Sequence, residues 1–254
     1  MLFEAVVVER TLVISIVSHG HAAQVQKLLL QLVSSRFLVP VRVILTLNVS
    51  ESAPMASPGG WPFDLQIIKN IQPVGFGKNH NQALIGAAEN FVCVLNPDVE
   101  FCEGSNPFEQ LIAASSYVGV GCAYPRQVDA QGRVQDSERA LPTPAALWQR
   151  WFFRRPDTRV DWVNAACMVL PRSVWESVGG FDESYHMYCE DVDLCLRIQL
   201  AGYRLQKADC TVVHAGNRAS HRKSNHLRWH ISSLLRLWAS PAYRRYKKMR
   251  PSLR

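Results

Sequence analysis

The chain has 254 residues, 48% hydrophobic and 19% charged, which excludes a disordered chain and allows a sizeable core in one large α/β domain or two small ones. No apolar run approaches the roughly 18 residues that a membrane-spanning helix needs. The net charge of +7 is uneven: residues 1–209 hold 17 Lys/Arg against 21 Asp/Glu, whereas residues 210–254 hold 11 Lys/Arg and no acid, as segments that meet anionic partners do.

The N-terminal Met1-Leu2-Phe3-Glu4 lacks the basic start of a signal peptide, and the apolar run Leu12 to Val17 is too short for its core. A cytoplasmic protein is expected. Thr11 to Ser18 reads as a buried strand, followed by Val25, Leu28, Leu29 and Leu32 at helical spacing. Val41 to Leu47 and Leu65 to Ile68 read as further strands, separated by a Pro-, Gly- and Ser-rich loop over residues 50–62. Gly77 to Asn90 looks helical, and Phe91 to Leu95 returns as a strand. This alternation predicts a parallel, doubly wound sheet over about the first 125 residues.

Residues 127–156 show turn signals and a cluster of aromatic and basic residues. Val160 to Leu170 reads as one buried strand, and Pro171 starts a short helix that runs to Gly179-Gly180. A helix over Glu190 to Ala201 is closed by Gly202, and a strand over Arg204 to Val213 follows. A last amphipathic helix, His226 to Ala239, carries Leu227, Ile231, Leu234, Leu235 and Trp238 at helical spacing, as a stripe packed on the body would. Past Pro241, the cations have few apolar neighbours and read as a basic tail. Seven cysteines, with no Cys-x-x-Cys pair, suggest neither a disulfide framework nor a zinc site.

Three places carry candidate chemistry. Asn96-Pro97-Asp98 follows the strand 91–95 directly, and ligands of open α/β sheets bind beyond the carboxyl ends of strands. Asp98 is therefore aimed where a cation bridging to substrate phosphates would sit. The acids Glu190, Asp191 and Asp193 crowd a helix start beside His186 and two tyrosines, Tyr185 and Tyr188. Helix capping accounts for the acids singly, but a carboxylate held there also suits a general base. His214 follows the strand 204–213 and is trailed by donor-rich residues suited to phosphate oxygens. The turn Gly75-Phe76-Gly77 opens a helix whose amides could meet an anion, although it is not a Walker loop.

In this order the segments resemble the inverting family-2 glycosyltransferases of the GT-A fold, particularly rhamnosyltransferase-like members, over about residues 11–238. The likeness is carried by residues 160–197, by Gly75 to Ala83 and by Asn96-Pro97-Asp98. It implies a single domain, 1–240, with a mostly parallel but mixed central sheet flanked by helices. A nucleotide-binding half would span about 1–125 and an acceptor half about 126–240, with 241–254 as the tail. Asp98 and His214 would hold Mg2+ or Mn2+, Asp191 in the Glu190-Asp191 pair would deprotonate the acceptor hydroxyl, and Glu190 and Asp193 would position the acceptor or the base. Ser18, Asn48, Asn79, Asn81, Asn96, Asp98 and Arg218 fall at donor positions, and Asn164, Tyr188 and Asp193 at acceptor positions. Leu47 stands where the family usually has Asp, and Ala165 where it usually has Gly.

The implied partners are a nucleotide-sugar and a glycan, lipid-linked or not, with an anionic membrane face as a candidate surface and no nucleic acid. The competing reading is a protein that binds nucleic acid or another anionic surface through the C-terminal segment. Trp229, Trp238, Tyr243 and Tyr246 are interleaved there with the bases, as stacking modules require.

Overall fold

The computed structural model describes residues 11–56, 58–102, 104–153, 159–214 and 224–249. The first apolar runs form β1 (Leu12–Ser18), β2 (Val41–Leu47), β3 (Asp64–Lys69) and β4 (Phe91–Leu95). β1 pairs parallel with β2 and β4, and β2 pairs parallel with β3. Two helices connect them, α1 (Ala22–Ser34) and α2 (Phe76–Leu84). The predicted stripe of α1, Val25, Leu28, Leu29 and Leu32, is buried. α2 is shorter than expected. It ends at Leu84 because Ile85 turns extended and Gly86 takes a left-handed φ of 68°.

The second half contributes β5 (Val99–Phe101), α3 (Pro107–Ser115) and β6 (Val120–Val128). β7 (Glu138–Arg139), α4 (Pro144–Phe153), β8 (Trp162–Val163), β9 (Cys167–Pro171) and α5 (Arg172–Val178) follow. The chain continues through α6 (Glu190–Leu200), β10 (Arg204–His214), α7 (Ser224–Ala239) and α8 (Pro241–Met249). The eight main strands are ordered β3-β2-β1-β4-β9-β6-β10-β5. β9 lies antiparallel to both its neighbours, and β5 antiparallel to β10, so the sheet is mixed. Alternate residues of β1 and β4 enter two separate cores. Leu12, Ile14, Phe91 and Cys93 pack with α1 and α3, whereas Val13, Val92 and Val94 pack with α2, α5, α6 and the last two helices.

Three segments depart from the sequence expectation. Residues 160–170 are not one strand: β8 pairs with β7 in a separate two-stranded sheet, and a turn at residues 164–166 precedes β9. That turn is stabilised by Asn164 N–H donating to Ser137 O and by the reciprocal amide pair of Asn164 and Gln127. Where turns were expected, α4 forms because the Thr143 hydroxyl accepts from Ala146 N–H at 3.0 Å, with Pro144 at the first helical position.

The expected tail is also a helix over residues 241–249. Its Tyr243 and Tyr246 are buried, and Tyr246 Oη donates within 2.9 Å of both Asp161 Oδ1 and Gln199 Oε1. Asp161, itself fully buried, also accepts from Leu141 N–H and pairs with Arg159. α8 therefore belongs to the core, packed with α6. Tyr246→Phe, which removes only the hydroxyl, is expected to lower the unfolding free energy by about 1–3 kcal/mol in urea titration. An unchanged midpoint would mean that α8 is not docked.

Candidate active site

Asp98 is positioned by β4 on one side and β5 on the other. Asn96 N–H donates to Ala166 O at 2.8 Å, and Val99 N–H to Asn96 O at 3.2 Å, closing the turn that presents the carboxylate. Val99 pairs in register with His214 across β5 and β10, which brings His214 Nε2 to 3.4 Å from Asp98 Oδ2. Gln135 holds the imidazole from behind: its amide nitrogen donates to His214 O at 2.6 Å, and its carbonyl oxygen lies 3.2 Å from Nδ1. Burial pushes the Asp98 carboxyl up. The hydrogen bond and charge of His214 more than offset this, with a smaller contribution from His21, and leave it below the usual aspartate range.

Glu190 and Asp191 open α6, where the first turn also holds Asp193. Glu190 is buried, its Oε2 has no hydrogen-bond partner among the described residues, and burial followed by the Asp191 charge pushes it up to about 8. Asp191 is raised to about 6, by burial first, while the N–H groups of Val192 and Ala165 and the charge of Arg139 hold it down. Both acids are thus pushed toward their neutral forms, Glu190 more strongly than Asp191, which has the backbone N–H and Arg139 to favour its charge. The two preceding residues, Tyr188 and Cys189, have φ values of 71° and 66°, left-handed for side chains that disfavour it. Such strain costs about 1–3 kcal/mol per residue and collects at functional sites.

The turn at residues 164–166 joins the two acidic centres. The Ala165 N–H helps to hold the Asp191 carboxyl down, and the neighbouring Ala166 O accepts from Asn96 N–H, two residues before Asp98. Both alanines are buried.

Other expected residues pin the frame. Asn48 donates to Val74 O and accepts from Val74 N–H and Asn70; Asn79, buried, donates to Val74 O and Gly75 O. Asn81 exchanges hydrogen bonds with the Phe181 backbone. Asn164 is engaged by Gln127, and Asp193 pairs with Arg197 at 2.6 Å. Tyr188 Oη meets His226 Nδ1 at 2.9 Å. Ser18 Oγ donates to Glu51 at 2.8 Å at the carboxyl end of β1. Arg218 lies outside the described residues.

The glycine turn is not an anion cradle. Phe76 N–H is taken by His186 O at 3.0 Å, and a Cβ on Gly75 would meet that oxygen at 2.7 Å. One on Gly77 would meet Phe181 Cβ at 2.6 Å. The glycines let α2 approach the loop that leads into α6.

The chain was compared with known proteins. No protein-family model matches it. It is 29% identical over 230 residues, 74% of each chain, to the N-acetylglucosaminyl-diphospho-decaprenol L-rhamnosyltransferase of Mycobacterium tuberculosis. Over 87 residues, 33% of this chain and 32% of the relative, it is 44% identical to rhamnosyltransferase WbbL of Escherichia coli K12. Among solved structures it superposes on the Pyrobaculum calidifontis mannosyltransferase PcManGT, solved with GDP-Man and Mn2+, with a TM-score of 0.60 at 16% identity. That match covers 89% of this chain but only 64% of the mannosyltransferase. The chain is similar to these rhamnosyltransferases and has the GT-A fold.

Within this GT-A chain, sequence reading missed Gln135, which orients His214, and Arg139, whose charge acts on Asp191. Both sit in the irregular middle, where no periodic signal singles them out. The buried pair at the start of α6 has a consequence for stability. With Glu190 raised in the folded state, that state binds the extra proton, so stability falls as pH rises from the unfolded carboxylate range through about 8. Glu190→Gln is accordingly expected to raise the melting temperature above pH 8 and to change it little near pH 4. A variant that melts lower at every pH would contradict this assignment.

Proposed function

We propose that the chain transfers a sugar, rhamnose being the first candidate, from a nucleotide-diphosphate-sugar to a hydroxyl of a growing lipid-linked glycan. The names of its relatives support glycosyl transfer to such acceptors. The observation that carries the reading is the Asp98–His214 pair beyond the carboxyl end of β4, on a loop held by the same 164–166 turn whose Ala165 N–H favours a charged Asp191.

Asp98 and His214 fit a hard divalent cation, Mg2+ or Mn2+: one carboxylate and one imidazole face each other, half-buried. Among the described residues no third His, Cys, Asp or Glu completes a protein cage, which suits an ion that shares its places with substrate phosphates and water. Such an ion supplies neutralisation of the charge that develops on the leaving diphosphate. Asp191, ionised at neutral pH, takes the proton of the acceptor hydroxyl as that oxygen attacks the anomeric carbon. The bond to the diphosphate breaks on the opposite face, and the sugar configuration inverts. Glu190, kept neutral beside it, avoids a second negative charge at the attacking oxygen. The basic C-terminal segment would keep the enzyme at the inner face of the membrane, where a lipid-linked acceptor resides. The nucleic-acid alternative loses Tyr243 and Tyr246 as stacking residues, since both are buried.

Asp191→Asn should keep donor binding and lose about 10²–10⁴-fold in transfer rate, with its melting temperature retained. A variant that melts earlier at an unchanged rate would reduce Asp191 to a helix cap, worth about 1 kcal/mol. The wild-type kcat/KM should rise with pH on an acid limb near about 6, as Asp191 loses its proton. Asp98→Asn should abolish the thermal stabilisation that Mn2+ and a nucleoside diphosphate together produce. Full activity in EDTA would exclude the metal.

A further inference from the structure

Helix α7 carries an apolar face that the body does not cover. At about 100° per residue, Leu234, Leu227, Trp238, Ile231 and Leu235 span an arc of about 100°. The sequence suggests that this stripe packs inward, but the packed residues are Ser233 and Leu237, on another side of the helix. Leu234 and Trp238 are half-buried at the seam, whereas Leu227, Ile231 and Leu235 are 63%, 51% and 58% exposed.

The stripe has a cation at its edge. On α7, exposed Arg228 falls about 20° beyond Leu235 at 100° per residue, whereas exposed Arg236 lies on another side; Arg244, Arg245, Lys247 and Lys248 are exposed on α8. No acid occurs anywhere in residues 210–254. Apolar side chains on a helix whose segment carries cations and no acid suit the boundary between acyl chains and anionic headgroups. Among the described residues no helix is long and apolar enough to cross a membrane, so the geometry is that of a helix lying on one.

We propose that α7 docks on an anionic lipid bilayer, with Leu227, Ile231 and Leu235 in the acyl boundary and Arg228 among the headgroups, while the net positive charge of the segment adds longer-range attraction. The surface lies beside the candidate base. Ser233 Oγ donates to Met187 O at 2.8 Å, Tyr188 Oη meets His226, and the His186 and Trp229 rings are 4.9 Å apart, all on the loop that leads into Asp191. An acceptor anchored in that bilayer would then reach Asp191 from the α7 side, a consequence that rests on the sugar-transfer reading, whereas the docking itself does not.

The experiment is sedimentation of the full-length protein with extruded vesicles of phosphatidylcholine, with or without phosphatidylglycerol. The wild type should bind phosphatidylglycerol vesicles, less so as salt rises, and bind pure phosphatidylcholine far more weakly. The triple variant Leu227→Ser, Ile231→Ser, Leu235→Ser should lose about 100-fold or more in partitioning. The variant Arg228→Gln should lose about 5-fold, on anionic vesicles only. Both sets lie on the surface, so circular dichroism melts should match the wild type. The proposal is overturned if the wild type ignores anionic vesicles at low salt, or if the triple variant binds them equally well. It is also overturned if the stripe proves to join two copies of the chain, seen as a dimer that the triple variant abolishes without vesicle binding in the wild type. Transfer to a soluble acceptor analogue, measured without vesicles, should be the same in the triple variant and the wild type. A wild type that binds vesicles but transfers no sugar would refute the enzymatic reading and leave the docking standing.

Discussion

Two adjacent peptide groups, at Ala165 and Ala166, hold the candidate site together. The Ala166 carbonyl accepts from the loop that presents Asp98, and the Ala165 N–H helps to hold the Asp191 carboxyl down. Both residues are buried. The reversed direction of β9 makes the arrangement possible. A parallel strand between β4 and β6 would present its carboxyl end here. β9 runs the other way and delivers the turn that precedes it to the end of β4. A mixed sheet thereby lets the second half of the chain reach the crevice of the first.

Around that junction, environment separates groups of the same chemistry. Glu190 and Asp191 are neighbours in sequence, yet the first is buried with no partner for one oxygen among the described residues, and the second accepts from Val192 N–H. Asp98, a third carboxyl, is drawn the other way by an imidazole. One functional group, the carboxyl, is thus shifted upward at the start of α6 and downward beside His214.

Much of this frame was legible in the sequence. β2 and β4 coincide with continuous apolar runs, since strands buried on both faces need no alternation. The acids were legible as a cluster that capping alone did not account for. What escaped depends on partners far along the chain. Gln135 acquires its role from His214, 79 positions away, and α8 becomes a core helix only through Asp161, 85 positions from Tyr246. Asn79 and Asn81 fall at donor positions only through the resemblance. In the fold the Asn79 amide donates to Val74 O and Gly75 O, and Asn81 exchanges hydrogen bonds with the Phe181 backbone. Polar type alone does not tell an inward-facing amide from an outward-facing one.

The paired left-handed residues before α6 bear on any attempt to engineer the protein. Tyr188 and Cys189 occupy backbone geometry that glycine adopts at almost no cost, so a screen for heat resistance alone would enrich glycine at both positions. Glycine at position 188 would release the contacts of the tyrosine ring with His226 and His230 on α7. Glycine at position 189 would loosen the entry to the helix that carries Asp191. Thermal tolerance and activity should therefore trade against each other at these two positions, and directed evolution would need both selections applied together.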